Sequence, residues 1–212
     1  MKKVSFSDKC RLTQAVLDGD KTRFFYILSG KDLKKLDAFK EEYYTLTMDT
    51  LEGVDLANAY LVNYPERLPF GIKEVVAVAQ SYKDAGYTCI PYHDTDEYMY
   101  LKRNGAILKD ISVPSCAVRN KLFVKAELMP HQLMIYGARA ERLQDLSVAD
   151  CFREGVRYCK KTESYYVPVN NHDSYYFPTV RDAFKGMVSM VYGDKVWDRN
   201  PIVISYYFKL IK

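Results

Sequence analysis

The chain has 212 residues, 48% of them hydrophobic and 27% charged, with a net charge of +4. A globular chain of this length buries about 70% of its unfolded surface, which excludes disorder, collagen-like repeats and a disulfide scaffold. Even the apolar run Val75–Ala79 is far short of the ~20 residues of a membrane span. No apolar stretch follows the basic Lys2-Lys3 as a secretory signal would require, so a soluble, cytoplasmic protein with no membrane contact is expected.

In chain order, a short strand is predicted over Val4 to Phe6. Ser7 then reads as an N-cap, Leu12, Ala15 and Val16 as one helical face, and Gly19 as the stop. Residues 23–28 are β-branched and aromatic and read as a strand in which Arg23 and Phe24 alternate, leaving Arg23 at the surface. Leu33, Leu36, Phe39, Tyr43 and Leu46 recur at helical spacing and predict a helix over 32–47, with a second over 53–62. Residues 74–80 read as a buried strand and 81–86 as a turn. Residues 87–120, with Pro91, Gly105 and Pro114, read as a long connection.

Further strands are predicted over 121–125 and 133–142. Ser147 and Asp150 open a short helix in an acidic variant of the capping box. Tyr165-Tyr166-Val167 and Tyr175-Tyr176-Phe177 flank the polar turn Asn170-Asn171-His172-Asp173 as a hairpin. Thr179 caps a helix whose apolar face runs from Val180 to Val191, ended by Gly193, and Ile202 to Leu210 alternate as a closing strand. Short, non-local strands with helices between them predict an α+β fold around a small barrel.

Charge is unevenly placed. Residues 51–100 carry three basic and eight acidic side chains, whereas residues 101–130 carry six basic and two acidic, a stretch able to meet phosphates. Cys10, Cys89, Cys116, Cys151 and Cys159 have no C-x-x-C spacing, and His93, His131 and His172 are scattered. Reduced thiols, no metal and no cofactor are therefore expected. Neither a G-x-S-x-G elbow nor a P-loop is present. Ser-Tyr-Tyr occurs three times, at 164–166, 174–176 and 205–207. Alternating tyrosines suit sheet surfaces, and exposed rings can stack on bases.

Three segments together resemble ASCH domains. Residues 15–26, Ala-Val-Leu-Asp-Gly-Asp-Lys-Thr-Arg-Phe-Phe-Tyr, resemble the opening motif, a helix ending at glycine followed by lysine, threonine and a strand. Glu74 to Gly86, through Val78-Ala79-Gln80-Ser81-Tyr82, resembles the second strand and its turn. Residues 120–155 resemble a third block through Asn120-Lys121-Leu122-Phe123, Met129-Pro130-His131, Glu141 to Leu146 and Glu154-Gly155. The tail from Trp197 to Pro201 is similar to that of larger bacterial and bacteriophage members.

The resemblance implies one PUA-like domain over 1–212, a small β-barrel flanked by helices, with 30–68 as a helical insertion. It also implies a cleft beside the first helix that binds RNA or a modified nucleoside or nucleotide without catalysis. In that reading Lys21, Lys121 and Arg119 meet phosphates, Thr22 donates to the ligand, Gln80 and His131 read a base edge, and Tyr82 stacks. The first alternative is an amidohydrolase acting on an acylated nucleoside such as 4-acetylcytidine, with Lys21 and Thr22 at its centre and Asp84 as the acid. Phe24, Tyr26 and Gln80 stand where that chemistry places a hydroxyl, an arginine and a glutamate. The second alternative is a protein-interaction role using residues 30–68.

Overall fold

The computed structural model describes residues 1–92, 95–104, 106–169 and 173–211. His93, Gly105, His172 and the tip of the predicted hairpin at 170–172 lie outside the described residues.

The elements run β1 (Lys3–Val4), α1 (Leu12–Leu17), β2 (Arg23–Ile27), α2 (Gly30–Thr47), α3 (Gly53–Asn63), β3 (Val75–Val78), β4 (Thr88–Tyr92), β5 (Thr95–Arg103), β6 (Ala106–Pro114), β7 (Gln132–Arg142), α4 (Val148–Arg153), β8 (Arg157–Cys159), β9 (Ser164–Pro168), β10 (Ser174–Phe177), α5 (Val180–Tyr192), α6 (Asp194–Arg199) and β11 (Ile202–Leu210). Most expected elements are present. Three are not as predicted. The connection at 87–120 is a three-stranded antiparallel meander, β4-β5-β6, continued by a short 3-10 turn at Ser115–Val118. Residues 121–123 form another 3-10 turn, not a strand. The residue preceding α1 is Arg11 in the left-handed region, while Ser7 supplies its carbonyl to the Leu12 amide at 3.0 Å.

The chain divides into two compact units. The first comprises residues 1–6, 75–134 and 210–212. In it β1 pairs in parallel with β3, and β3 pairs antiparallel with the start of β7 through Val75 with Met134 and Ala77 with Gln132. Its core gathers Ala77, Ala79, Tyr82, Leu101, Val113 and Met129. The alternation along β5 turns Leu101 inward against Val113 and Ala117, which is how a strand with an exposed neighbour still builds a core. Lys3 fastens this unit by donating to the carbonyls of Leu122 at 2.7 Å and Val124 at 2.6 Å.

The second unit comprises residues 7–74 and 135–209. Here β11 lies between β2 and the rest of β7, antiparallel to β2 with Ser205 opposite Phe25 and Tyr207 opposite Arg23. Phe24 stacks on Tyr206 at 5.1 Å and meets Phe70 edge-on at 5.6 Å. Residues 30–67 form the expected helical pair. Ser29 caps α2 in a full capping box with Asp32, and Leu36, Phe39, Leu56, Ala57 and Tyr60 bury its seam. Asn58 ties that pair to β7 by accepting from the Ala140 amide at 2.9 Å and donating to the Ala140 carbonyl at 3.0 Å.

A separate sheet, β8-β9-β10, carries Tyr165 and Phe177 on the side of α5, where Gly186 leaves room for the Phe177 ring. A Cβ at Gly186 would stand 2.5 Å from that ring. None of the five cysteines is in a disulfide: Cys10 and Cys151 are buried, Cys89 and Cys159 partly buried, and Cys116 exposed. The protein is thus mixed α and β with several sheets, none closed into a barrel among the described residues. Both three-stranded sheets end in edge strands, so neither provides the pairing a closed barrel requires. Among the described residues no helix is long and apolar enough to cross a membrane, and no group of three His, Cys, Asp or Glu is placed to hold a metal.

Candidate functional site

Two polar clusters stand out, one in each unit. In the second unit the turn after α1, opened by Gly19 at φ +80°, delivers Lys21 into the interior. Lys21 is 2% exposed, donating to the Glu154 carboxylate at 2.5 Å and the Glu154 carbonyl at 2.9 Å. Arg23 is fully buried, contrary to the surface position expected from alternation. It donates to Glu141 and Ser205, and its other terminal nitrogen faces Glu154 at 3.8 Å. Both faces of β2 are covered, one by aromatic rings and one by this charge cluster.

Arg139 extends the cluster outward, bonding Glu141 and Asp150 at 2.8 Å each. Burial drags the Lys21 ammonium below the ordinary lysine value, against the opposing pull of Glu154. Asp150 feels burial pushing upward, yet the Ser147 hydroxyl and the charges of Arg23, Arg153 and Arg139 hold it below the usual carboxylate range.

The position of Lys21 corrects the expected phosphate contact, since its ammonium is committed inside the protein. Thr22 beside it is half-buried, and its backbone is spent on Arg153 and Phe208 at 3.0 Å each. Lys21 belongs to the second unit, while Asp84, Gln80, Tyr82, Arg119, Lys121 and His131 belong to the first.

In the first unit, Gln80 lies two residues past the end of β3 and is 4% exposed, and Pro130 and His131 lead into β7. The structure brings these two together: His131 Nδ1 lies 2.6 Å from Gln80 Oε1. The Gln80 amide nitrogen is turned toward the Asp84 carbonyl at 3.5 Å, so its oxygen is the acceptor and His131 Nδ1 carries the proton. The second ring nitrogen, Nε2, is then a lone-pair acceptor, and it has no hydrogen-bond partner among the described residues. Burial, reinforced by the charge of Arg103, holds His131 below the ordinary histidine value, so the ring is neutral near pH 7. Arg103 is fixed nearby over the Tyr87 ring at 5.2 Å, and the Tyr87 hydroxyl donates to the Leu128 carbonyl at 2.7 Å.

Other expected residues serve the scaffold. Tyr82, expected to stack on a base, is fully buried, meets Tyr87 edge-on at 5.7 Å and accepts from the Lys125 amide at 2.9 Å. Lys121, expected at a phosphate, donates to the Phe6 carbonyl. The Asp84 carboxylate accepts from the Ser81 hydroxyl at 2.6 Å and closes the turn after β3. Arg119 is exposed.

Reading the sequence missed Arg103, Glu141, Asp150, Ser205 and the role of Glu154. A buried lysine and arginine demand carboxylates, so recognising β2 as covered on both faces would have pointed to them. No family model, curated protein or solved structure matches this chain.

Proposed function

We propose that this chain is a non-catalytic module of ASCH, PUA-like type that binds RNA or a nucleotide through the first unit, with His131 Nε2 accepting a hydrogen bond from a base. One observation carries the reading: the oriented, neutral imidazole sits in the unit that holds the chain's positive charge. That unit has ten basic and six acidic residues, net +4, equal to the net charge of the whole chain. Its exposed Arg103 and Arg119 supply cations for phosphates. Gln80 acts as a positioning residue, fixing which imidazole nitrogen faces the ligand.

The test is fluorescence anisotropy with a short single-stranded RNA across a salt titration. Affinity falls as salt rises, Arg103→Ala/Arg119→Ala reduces the salt slope by roughly 1–2, and His131→Ala weakens binding about tenfold with the slope kept. Binding that ignores salt, or none at low salt, overturns the proposal.

The amidohydrolase alternative rests on the Lys21–Glu154 pair, with Glu154 and not Asp84 beside the amine. Acetate release from 4-acetylcytidine is its signature. The protein-interaction alternative rests on Leu46, Met48 and Val62, each more than three-quarters exposed on the helical pair. Partner binding that survives His131→Ala but not removal of 30–68 supports it.

A further inference from the structure

The sheet β8-β9-β10 has two unlike faces. Cross-strand neighbours share a face, so Tyr158, Tyr165 and Phe177 lie on one side, with Phe177 against Gly186 of α5 and Tyr165 6.0 Å from Phe152 of α4. The opposite face presents Arg157, Tyr166 and Tyr176 as one row across the three strands, paired Arg157 with Tyr166 and Tyr166 with Tyr176. The two tyrosine rings are 5.5 Å apart and 32° from parallel, a near-continuous surface, and Tyr176 is 54% exposed.

The row ends at a small polar cavity whose walls include Arg11, Gln14, Asp18, Arg157 and Pro168. Arg157 therefore belongs to both the aromatic row and the cavity. One of its nitrogens pairs with Asp20, while its Nε is buried without a hydrogen-bond partner among the described residues. Gln14 is held by Asp18 at 2.7 Å. Lys160, Lys161 and Glu163 follow β8 and are exposed, so the flank of the row carries two cations against one carboxylate.

We infer that this face is a stacking platform for single-stranded RNA, with successive bases on Tyr166 and Tyr176 and a backbone phosphate at the cavity between Arg157 and Arg11. Planar rings accept any base, and guanidinium groups match phosphate oxygens, so flat aromatic surface beside an arginine-lined cavity fits a nucleic acid strand better than an apolar partner. A protein strand or helix docking here would need apolar depth, and the cavity is polar. The inference rests on the reading of the chain as a nucleic-acid binder but uses none of the residues around His131.

The experiment measures binding of a fluorescein-labelled ten-nucleotide oligouridylate by anisotropy. The proteins are the wild type, Tyr166→Leu/Tyr176→Leu, Tyr158→Leu as the opposite-face control, Arg157→Lys and His131→Ala. The double variant binds tenfold weaker or worse with an unchanged salt slope, Tyr158→Leu stays within twofold, and Arg157→Lys weakens binding severalfold. Crosslinking of the wild type to 5-bromouridine RNA, mapped by mass spectrometry, places adducts on β9 or β10 and needs no folded variant.

If the double variant loses binding and His131→Ala does not, the platform stands and the His131 reading falls. A double variant within twofold of wild type, or adducts confined to the first unit, overturns the platform alone. A wild type that binds no RNA overturns both.

Discussion

Replacing Glu154 with glutamine should be the most damaging isosteric change in the second unit. The side chain is 2% exposed and faces two cations, Lys21 at 2.5 Å and Arg23 at 3.8 Å, themselves 2% and 0% exposed. An amide keeps the volume but removes the Glu154 charge from beside the buried Lys21 ammonium. Breaking a buried pair from one side costs about 3–5 kcal/mol. At 2–4 °C per kcal/mol for a chain of this size, the midpoint drops by roughly 6–20 °C.

Trp197, the single tryptophan, is 9% exposed in the same unit and reports its unfolding by fluorescence in guanidinium. The double variant Lys21→Met/Glu154→Leu, which removes both charges, should be more stable than Glu154→Gln alone. The pH dependence has a definite sign. Lys21 is already below its unfolded value, and losing Glu154 lowers it further, so the unfolded chain binds more protons between the two values. Stability of Glu154→Gln therefore climbs as pH rises from neutrality toward the ordinary lysine value, more steeply than in the wild type. Glu154→Gln within about 1 kcal/mol of wild type at neutral pH refutes this account of the cluster.

Three further outcomes follow from the same geometry. His131 is held below the ordinary histidine value, so its contribution to stability is complete above pH of about 6.5 and declines as pH falls through it. The opening equilibrium at the Val78 amide, bonded to the His131 carbonyl at 2.9 Å and read by hydrogen exchange after dividing out the intrinsic pH dependence of the exchange rate, should rise on acidification less in His131→Asn than in the wild type. Gly186→Ala must displace the Phe177 ring and should cost about 1–3 kcal/mol by chemical denaturation; a neutral result would mean the ring swings aside freely. Asn58→Ala leaves both backbone groups of buried Ala140 without their partner and should cost about 1–3 kcal/mol, whereas Val62→Ala, 79% exposed on the same helix, should be near neutral.

The helices were legible because their apolar positions repeat and two of them are signed at the start, where Thr179 with Asp182 and Ser147 with Asp150 cap as side chain to backbone; the cap of Ser29 with Asp32 was not read, and α2 begins two residues before its predicted start. β7 and β11 were legible as alternating runs. The meander at 87–120 was not, because Pro91 sits inside β4 and the β5–β6 register slips between Tyr100 and Leu101, so period-two alternation is broken where it would be read.

Of the candidate site, Gln80 and His131 were found together from an apolar run ending in an amide and a Met-Pro lead into a strand. Lys21, Tyr82 and Lys121 were singled out as residues of consequence but given solvent-facing tasks. Single-sequence patterning records where a side chain lies along the chain; it does not record that a second element, carrying Glu154 or Lys125, will close over it.

The thiols give the second unit a built-in clock. Burial pushes Cys10 and Cys151 up to about 11, so at neutral pH only about one in ten thousand of each is thiolate even when reagent arrives. Cys159 is exposed to the opposite influence, its thiol lowered by the Thr162 hydroxyl. Alkylation of Cys159 therefore runs ahead, and modification of Cys10 and Cys151 waits for the interior to part and their thiols to recover ordinary acidity. The interval between the two events times spontaneous opening around Lys21 and Glu154, in the unaltered chain and without denaturant.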